Sequence, residues 1–304
     1  MARPPQGTSG DDVAGRRAAS ARGAWNTENW TDGVTLPNSP LQDIICCMGL
    51  PSVGNPSQFV LERLATAAGR DLCCLTVDVA PHALAEAIRG ADVMGFTGLL
   101  LADSLGSRAF ELVARDHAVT EVLGAVDLVC RYETQWVGSH SLMLAVKQWL
   151  HDLAEPPAQA VVFGSDLAAR AAVCGLVAAD CPQIHLVAPE AQALELTPWC
   201  ARLSEKSRVD FAPETVPDLQ DAPAIVVDAT ENDTLPLEQL AEASQVVQLR
   251  SDLTTAPPAL PAAISVTGAV DMLVRRYAIA FESLTAASAD RDLIRESLEE
   301  FFLI

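Results

Sequence analysis

Lysine is almost missing from this chain: only Lys147 and Lys206 occur, so its cationic character is nearly all arginine. Basic residues number 20 against 40 acidic ones, a formal net charge of −20 at pH 7. A surface of that sign repels phosphate backbones and anionic lipid, which argues against nucleic acid or membrane as partner. Long apolar runs are missing too, and none reaches the roughly 18 residues of a spanning helix. The N-terminus has arginines but no apolar stretch behind them, unlike a secretory leader. Cysteine is not scarce, yet no Cys-x-x-Cys pair occurs. The eight cysteines, at 46, 47, 73, 74, 130, 174, 181 and 200, sit mostly inside apolar runs. They read as buried reduced thiols of a cytoplasmic protein, with no metal and no disulfide.

What is present is the material of a globular α/β protein. The chain has 304 residues, 50% of them hydrophobic, enough for one or two domains with a sizeable core. Residues 1–40 are rich in Pro, Gly, Ser, Ala and Arg without periodicity and are expected to form a disordered arm. Strands are expected at Ile44–Gly49, Leu72–Val79 and Phe96–Ala102, with helices at Gln58–Ala68, Pro81–Arg89 and Ser107–Arg115. A short hairpin is expected around Arg131–Gln135, then a long helix over Ser141–Leu153 and a Glu155-Pro156-Pro157 linker. A second alternation of strands and helices runs from Val161 to Val266, and two helices follow, Asp271–Leu284 and Asp290–Phe301. Such alternation implies parallel sheets. The expected fold is an N-terminal α/β substrate-binding-like domain, residues 41–141, followed by a Rossmann-like doubly wound domain, residues 142–270. Helices in 271–304 are expected to pack back on the first.

The stretch Val161–Ala172, VVFGSDLAARAA, is expected to end a strand, turn at Gly164 and start a helix. In a doubly wound sheet a pyrophosphate sits at such a helix N-terminus, where glycines let the backbone approach. Ser165, Asp166 and Leu167 follow Gly164 instead. The turn has the setting of a cofactor loop with unsuitable residues in it.

In order, these landmarks resemble the shikimate dehydrogenase family over residues 42–304. They are Gly49-Leu-Pro51, VDVAPHALAEAIRGADVMGFTG at 77–98, Gly124-Ala-Val126, Gly138, the Gly164 turn, and Gly268 with Met272-Leu273. The resemblance implies a dehydrogenase of aromatic amino acid biosynthesis that moves hydride between NADP and shikimate. Its polar positions, however, differ here. Asn55-Pro56-Ser57 stands for the family's Ser-x-Ser, which holds the substrate carboxylate; the plainer reading is a turn and helix cap. Leu100, Ala102, Ser104 and Gly106 replace the Asn, Thr, Pro and Lys of the reacting hydroxyl's motif, and Arg108, the nearest cation, is a poor base. Asp127 replaces an asparagine. Leu142, after His140 and Ser141, replaces the catalytic aspartate. Arg276 replaces a glutamine. Ala188-Pro189-Glu190 stands where the family grips the 2′-phosphate, while Asp228-Ala-Thr230 still resembles the turn under the nicotinamide.

Backbone landmarks persist and site chemistry is mostly replaced. The expectation is therefore a shikimate dehydrogenase-like pseudoenzyme that acts as a binding or regulatory relative, with no cofactor. Substrate-type contacts are expected from Asn55, Ser57, Asp127 and Arg276, converging with Leu100 and Leu142 on one cavity. Arg276 suggests a small anionic metabolite as partner, and a homodimer is compatible. The degraded cofactor loop is Gly164, Ser165, Asp166 and Thr230, with Arg170 expected to pair with Asp166. The alternative is an active shikimate/quinate-type dehydrogenase using NADP, with His140 as candidate catalytic residue regrouped beside Asp127 and Arg276. A third reading is hydrolysis by Ser141 or Ser139 with His140.

Overall fold

Apolar residues at every position, not every second one, mark the central strands, and the structure shows why. In this computed structural model, described for residues 43–304 except 53, 154–157, 204–206, 214–224, 231–244, 250–252 and 254–264, helices cover both faces of the first sheet. Strand β1 (Asp43–Gly49) turns Ile45 and Cys47 to one core, and Cys46 and Met48 to the other. Side chains alternate across a strand, so a strand buried on both faces needs apolar residues throughout.

That sheet also contains β2 (Leu72–Asp78), β3 (Gly98–Leu101), β4 (Ala114–Arg115), β5 (Leu128–Tyr132) and β6 (Gln135–Ser139), in the order β2-β1-β3-β5-β6-β4. β5 runs antiparallel to both neighbours, which makes the expected hairpin with β6. On one face lie α1 (Ser57–Ala67) and the two last helices, α8 (Ala269–Thr285) and α9 (Arg291–Phe302). The other face packs under α2 (Leu84–Val93), which follows a 3-10 turn at Pro81–Ala83, and α3 (Asp103–Phe110). α3 starts earlier than the apolar pattern suggests, with Leu105 and Ala109 buried one turn apart. A further short helix, α4 (Ala118–Leu123), closes on Gly124 in the left-handed region, φ 73°.

After α5 (Ser141–His151) comes a second six-stranded sheet: β7 (Gln159–Phe163), β8 (Gln183–Ala188), β9 (Arg208–Pro213), β10 (Ile225–Asp228), β11 (Gln245–Gln248) and β12 (Ser265–Thr267). Every pairing is parallel and the order is β12-β11-β10-β7-β8-β9. This is doubly wound topology, with its switch point between β7 and β10. Helix α6 (Leu167–Ala178) follows β7, and α7 (Ala193–Ala201) follows β8. α6 is apolar nearly all round because it is buried nearly all round. Gly175 lets α5 lie against it: a Cβ there would come 2.6 Å from the Met143 carbonyl oxygen. The expected arm at 1–40 and the Glu155-Pro156-Pro157 linker fall outside the described residues. No helix among the described residues is long and apolar enough to cross a membrane.

Candidate functional site

Asp127 leads into β5, fixed by its own backbone: its N–H donates to the Ser139 carbonyl at 3.0 Å, and its carbonyl accepts from Leu101 N–H at 2.8 Å. The residue is 3% exposed and its side chain faces the first turn of α5. Ser141 donates twice to it, N–H to Oδ1 and Oγ–H to Oδ2, each at 2.5 Å. Arg276 on α8 completes the knot. Its Nε donates to Ser141 Oγ at 3.0 Å and its Nη2 to Asp127 Oδ2 at 3.1 Å. Burial would raise the Asp127 carboxyl, but the Arg276 guanidinium and the two Ser141 donors outweigh it and hold the group below its ordinary value. Burial would likewise lower Arg276, and Asp127 and Asp103 push it above its ordinary value instead.

These residues form one wall of a cavity of about 260 Å³. Asn55 and Ser57 form another, at the start of α1. Asn55 Oδ1 accepts the Ser57 N–H at 2.9 Å, so the turn-and-cap reading of Asn-Pro-Ser is physically realised while both residues still line the cavity. The Ser57 hydroxyl lies 2.9 Å from the Tyr277 hydroxyl, whose pKa burial raises to about 12, so it stays protonated at neutral pH. Leu100, Ala102 and Asp103 line the side toward β3, and Leu273 and Ala280 supply apolar surface from α8.

Four expected contacts, Asn55, Ser57, Asp127 and Arg276, therefore meet, and Leu100 joins them. Leu142 does not: it packs into the core around α6. Neighbouring residues on a helix point some 100° apart, so Ser141 facing the cavity turns Leu142 away. Gly106 is also excluded. It is buried away from the cavity lining, and a Cβ would stand 3.2 Å from the Val126 carbonyl oxygen, so a side chain at this position would be tightly packed. Arg108 pairs on the surface with Glu111. His140 is buried rather than at a surface turn, 2% exposed, with Nδ1 4.0 Å from Asp127 Oδ2 and neither ring nitrogen hydrogen-bonded. Burial lowers its basicity despite Asp127, which leaves it neutral at neutral pH. Ser141 Oγ is spent on Asp127 and Arg276, not on His140, so no Ser/His nucleophile is assembled there.

Asp103, Ser141 and Tyr277 are the polar wall residues that motif reasoning did not assign to binding. One signal was available for Tyr277: positions 273, 276, 277 and 280 share a helix face.

The second candidate region lies at the carboxyl ends of β7 and β10. Gly164 has φ 126°, and a Cβ there would be 2.8 Å from the Ala229 carbonyl oxygen, so only glycine fits. Asp166 caps α6, accepting the Ala169 N–H at 2.9 Å. Arg170 does not pair with Asp166. It reaches Glu195 on α7 at 2.6 Å, with Nε donating to the Ser165 carbonyl at 3.3 Å. Thr230 turns back on β10, donating through N–H and hydroxyl to Asp228 Oδ1 at 3.1 and 2.7 Å. Among the described residues no group of three or more His, Cys, Asp or Glu could hold a metal ion.

No protein-family model matches the chain. It is 30% identical over 151 residues to the NADP(+) shikimate dehydrogenase of Trichormus variabilis, covering 47% of this chain and only 52% of that protein. Against the enzyme of the same name from Anaeromyxobacter sp. strain K it is 28% identical over 243 residues, 76% of this chain and 86% of the other. In sequence the chain is thus similar to NADP(+) shikimate dehydrogenases, and it spans about half the length of the first of these. Its fold matches that of 5-ketofructose reductase of Gluconobacter sp. strain CHM43, with TM-score 0.74, 20% identity, and coverage of 87% of this chain and 100% of that one. A shikimate dehydrogenase solved in complex with NADP+ gives TM-score 0.72 and 18% identity over 85% of this chain and 95% of its own. The two-sheet α/β architecture of the family is thus present here.

Proposed function

We propose that this shikimate dehydrogenase relative binds a small polar metabolite in the α8 cavity and does not pass hydride to a nicotinamide cofactor. The observation that carries this reading is the α6 cap. In a doubly wound fold the free N–H groups at that helix start receive the dinucleotide phosphate. Here Asp166 brings its own carboxylate to them. A pyrophosphate placed there would meet a like charge; two unit charges about 4 Å apart repel by about 4 kcal/mol at an effective dielectric of about 20. Leu167 adds bulk after it, and Pro189 and Glu190 follow β8 where the family grips phosphate. These residues do not fit a dinucleotide.

The cavity supports the same reading. It holds no lysine, and Leu142 is core. Proton transfer at a reacting hydroxyl needs a group whose pKa lies near the working pH. Asp127 lies well below that range and Arg276 well above it.

One observation favours a rearranged dehydrogenase: Asp127 and Arg276 do meet, and neutral His140 lies 4.0 Å from the carboxylate. Calorimetry with NADPH and NADH separates the two readings, together with a turnover scan on shikimate and quinate. Binding weaker than millimolar and no turnover are expected; low-micromolar NADPH affinity refutes the proposal. Asp166→Gly with Leu167→Gly should raise cofactor affinity.

A further inference from the structure

Arg276 taken alone favours an anionic ligand. Its charge, however, is already matched inside the protein. Asp127 is fully desolvated, ionised, and bound to the guanidinium through Nη2 and, by way of Ser141, through Nε. A third charged wall residue, Asp103, begins α3 and adds a second carboxylate. Three charged side chains therefore face one small cavity, two negative and one positive. A ligand carboxylate entering here adds a third anion to a site with one cation.

The remaining polar groups are of mixed character. The Ser57 and Tyr277 hydroxyls both donate and accept, the Asn55 amide nitrogen donates, and Asp103 accepts. Hydroxyl groups, which also do both, satisfy such a wall; a carboxylate, which only accepts, does not. Leu100, Leu273 and Ala280 offer apolar surface to the carbon face of a small ring. Volume limits the ligand to a single small molecule, at or below the lower end of ordinary ligand pockets.

We propose that the cavity selects an uncharged polyhydroxylated ring and rejects its carboxylate analogues, with the Asp127–Arg276 pair as the selectivity element. This rests on the reading above that the cavity is the ligand site. Shikimate, methyl shikimate and myo-inositol are suitable probes, because the first two share ring and hydroxyls and differ in charge. By calorimetry at neutral pH the methyl ester should bind the full-length protein at least about tenfold more tightly than shikimate. Asp127→Asn, which keeps an acceptor for the Ser141 N–H while freeing Arg276, should reverse that order. Asp103→Asn, at an exposed position, should narrow the gap without reversing it, and so tests the idea even where Asp127→Asn fails to fold. Shikimate binding as tightly as its ester to the unaltered protein overturns the proposal, as does failure of both uncharged probes to bind at millimolar concentration. Oxidation of the ester's ring hydroxyl with NADP+ as hydride acceptor would instead refute the non-catalytic reading and leave the charge ranking standing.

Discussion

Replacing Arg276 with leucine should expose what the buried pair does for the fold. Removing one partner of a buried ion pair costs about 3–5 kcal/mol, because the other charge is left desolvated. Here the Arg276 side chain is 29% exposed, the Asp127 side chain 4%, and both Ser141 donors stay in place. The expected loss is therefore nearer 2–3 kcal/mol at pH 8. Its pH dependence follows from Asp127. In the unaltered protein its carboxyl is depressed, so its stabilising contribution is present above the unfolded value of about 4 and is lost as pH falls through the lower folded value. Without Arg276 burial dominates and the folded value rises. The penalty is then absent at low pH, sets in as pH climbs past about 4, and is complete above the raised value. His140 reinforces this trend. Arg276 helps keep it neutral, and without the guanidinium it can take a proton against Asp127 on the acid side. Urea unfolding of Arg276→Leu, Asp127→Asn and the double variant at pH 5 and pH 8 measures the effect. The single-variant loss should be larger at pH 8, and the cycle should return a coupling of about 1–3 kcal/mol. A loss below about 0.5 kcal/mol at pH 8, the size of an ordinary surface substitution, refutes the reasoning.

Two further outcomes can be checked by denaturation. Gly164→Ala should destabilise by at least about 2 kcal/mol, since a Cβ meets the Ala229 backbone at 2.8 Å and φ is 126°; stability within 0.5 kcal/mol of the unaltered protein would show that the β7 turn can shift. Asp116, which burial pushes up to about 6 despite the Thr120 hydroxyl, weakens the fold as pH rises from about 4 through 6. Asp116→Asn should therefore stabilise at pH 7 and have no effect near pH 4, and equal effects at both would contradict the assignment.

Local signals made much of this legible in the sequence. Apolar runs ending in Gly49 and Gly69 mark the ends of β1 and α1, where the chain approaches Ala102 closely at Gly49 and takes a positive φ of 62° at Gly69. The Asp166 cap was legible because a cap joins residues three apart. Its supposed partner was not: Arg170 sits four residues on, but α7 brings Glu195 closer, and no local rule encodes the packing of α7. Asp127 and Arg276 lie 149 residues apart, so each could be named as a site residue while their mutual neutralisation could not. Leu142 and Gly106 show the limit of matching motif positions. Each keeps its place in the chain, yet one faces the α6 core and the other the Val126 carbonyl. α4 is too short for its period to show.

The two altered sites share one physical logic. At the start of α6 an Asp carboxylate takes the N–H that a phosphate would use, and at the start of α5 another takes the N–H of Ser141 together with the Arg276 guanidinium. In both places the chain supplies its own anion to groups that could receive a foreign one. A tethered carboxylate loses no translational freedom on binding, whereas a free ligand forfeits about 4–15 kcal/mol in doing so, so the internal anion wins unless the ligand makes much better contacts. The overall charge of −20 pushes the same way, lowering the local concentration of any phosphate or carboxylate. The replacements at Asp127 and Arg276 are interdependent: the aspartate alone would bury an unpaired charge, and the arginine alone would restore an anion site. Two carboxylates and one arginine thus occupy, from within the chain, the groups at which a foreign anion would otherwise bind.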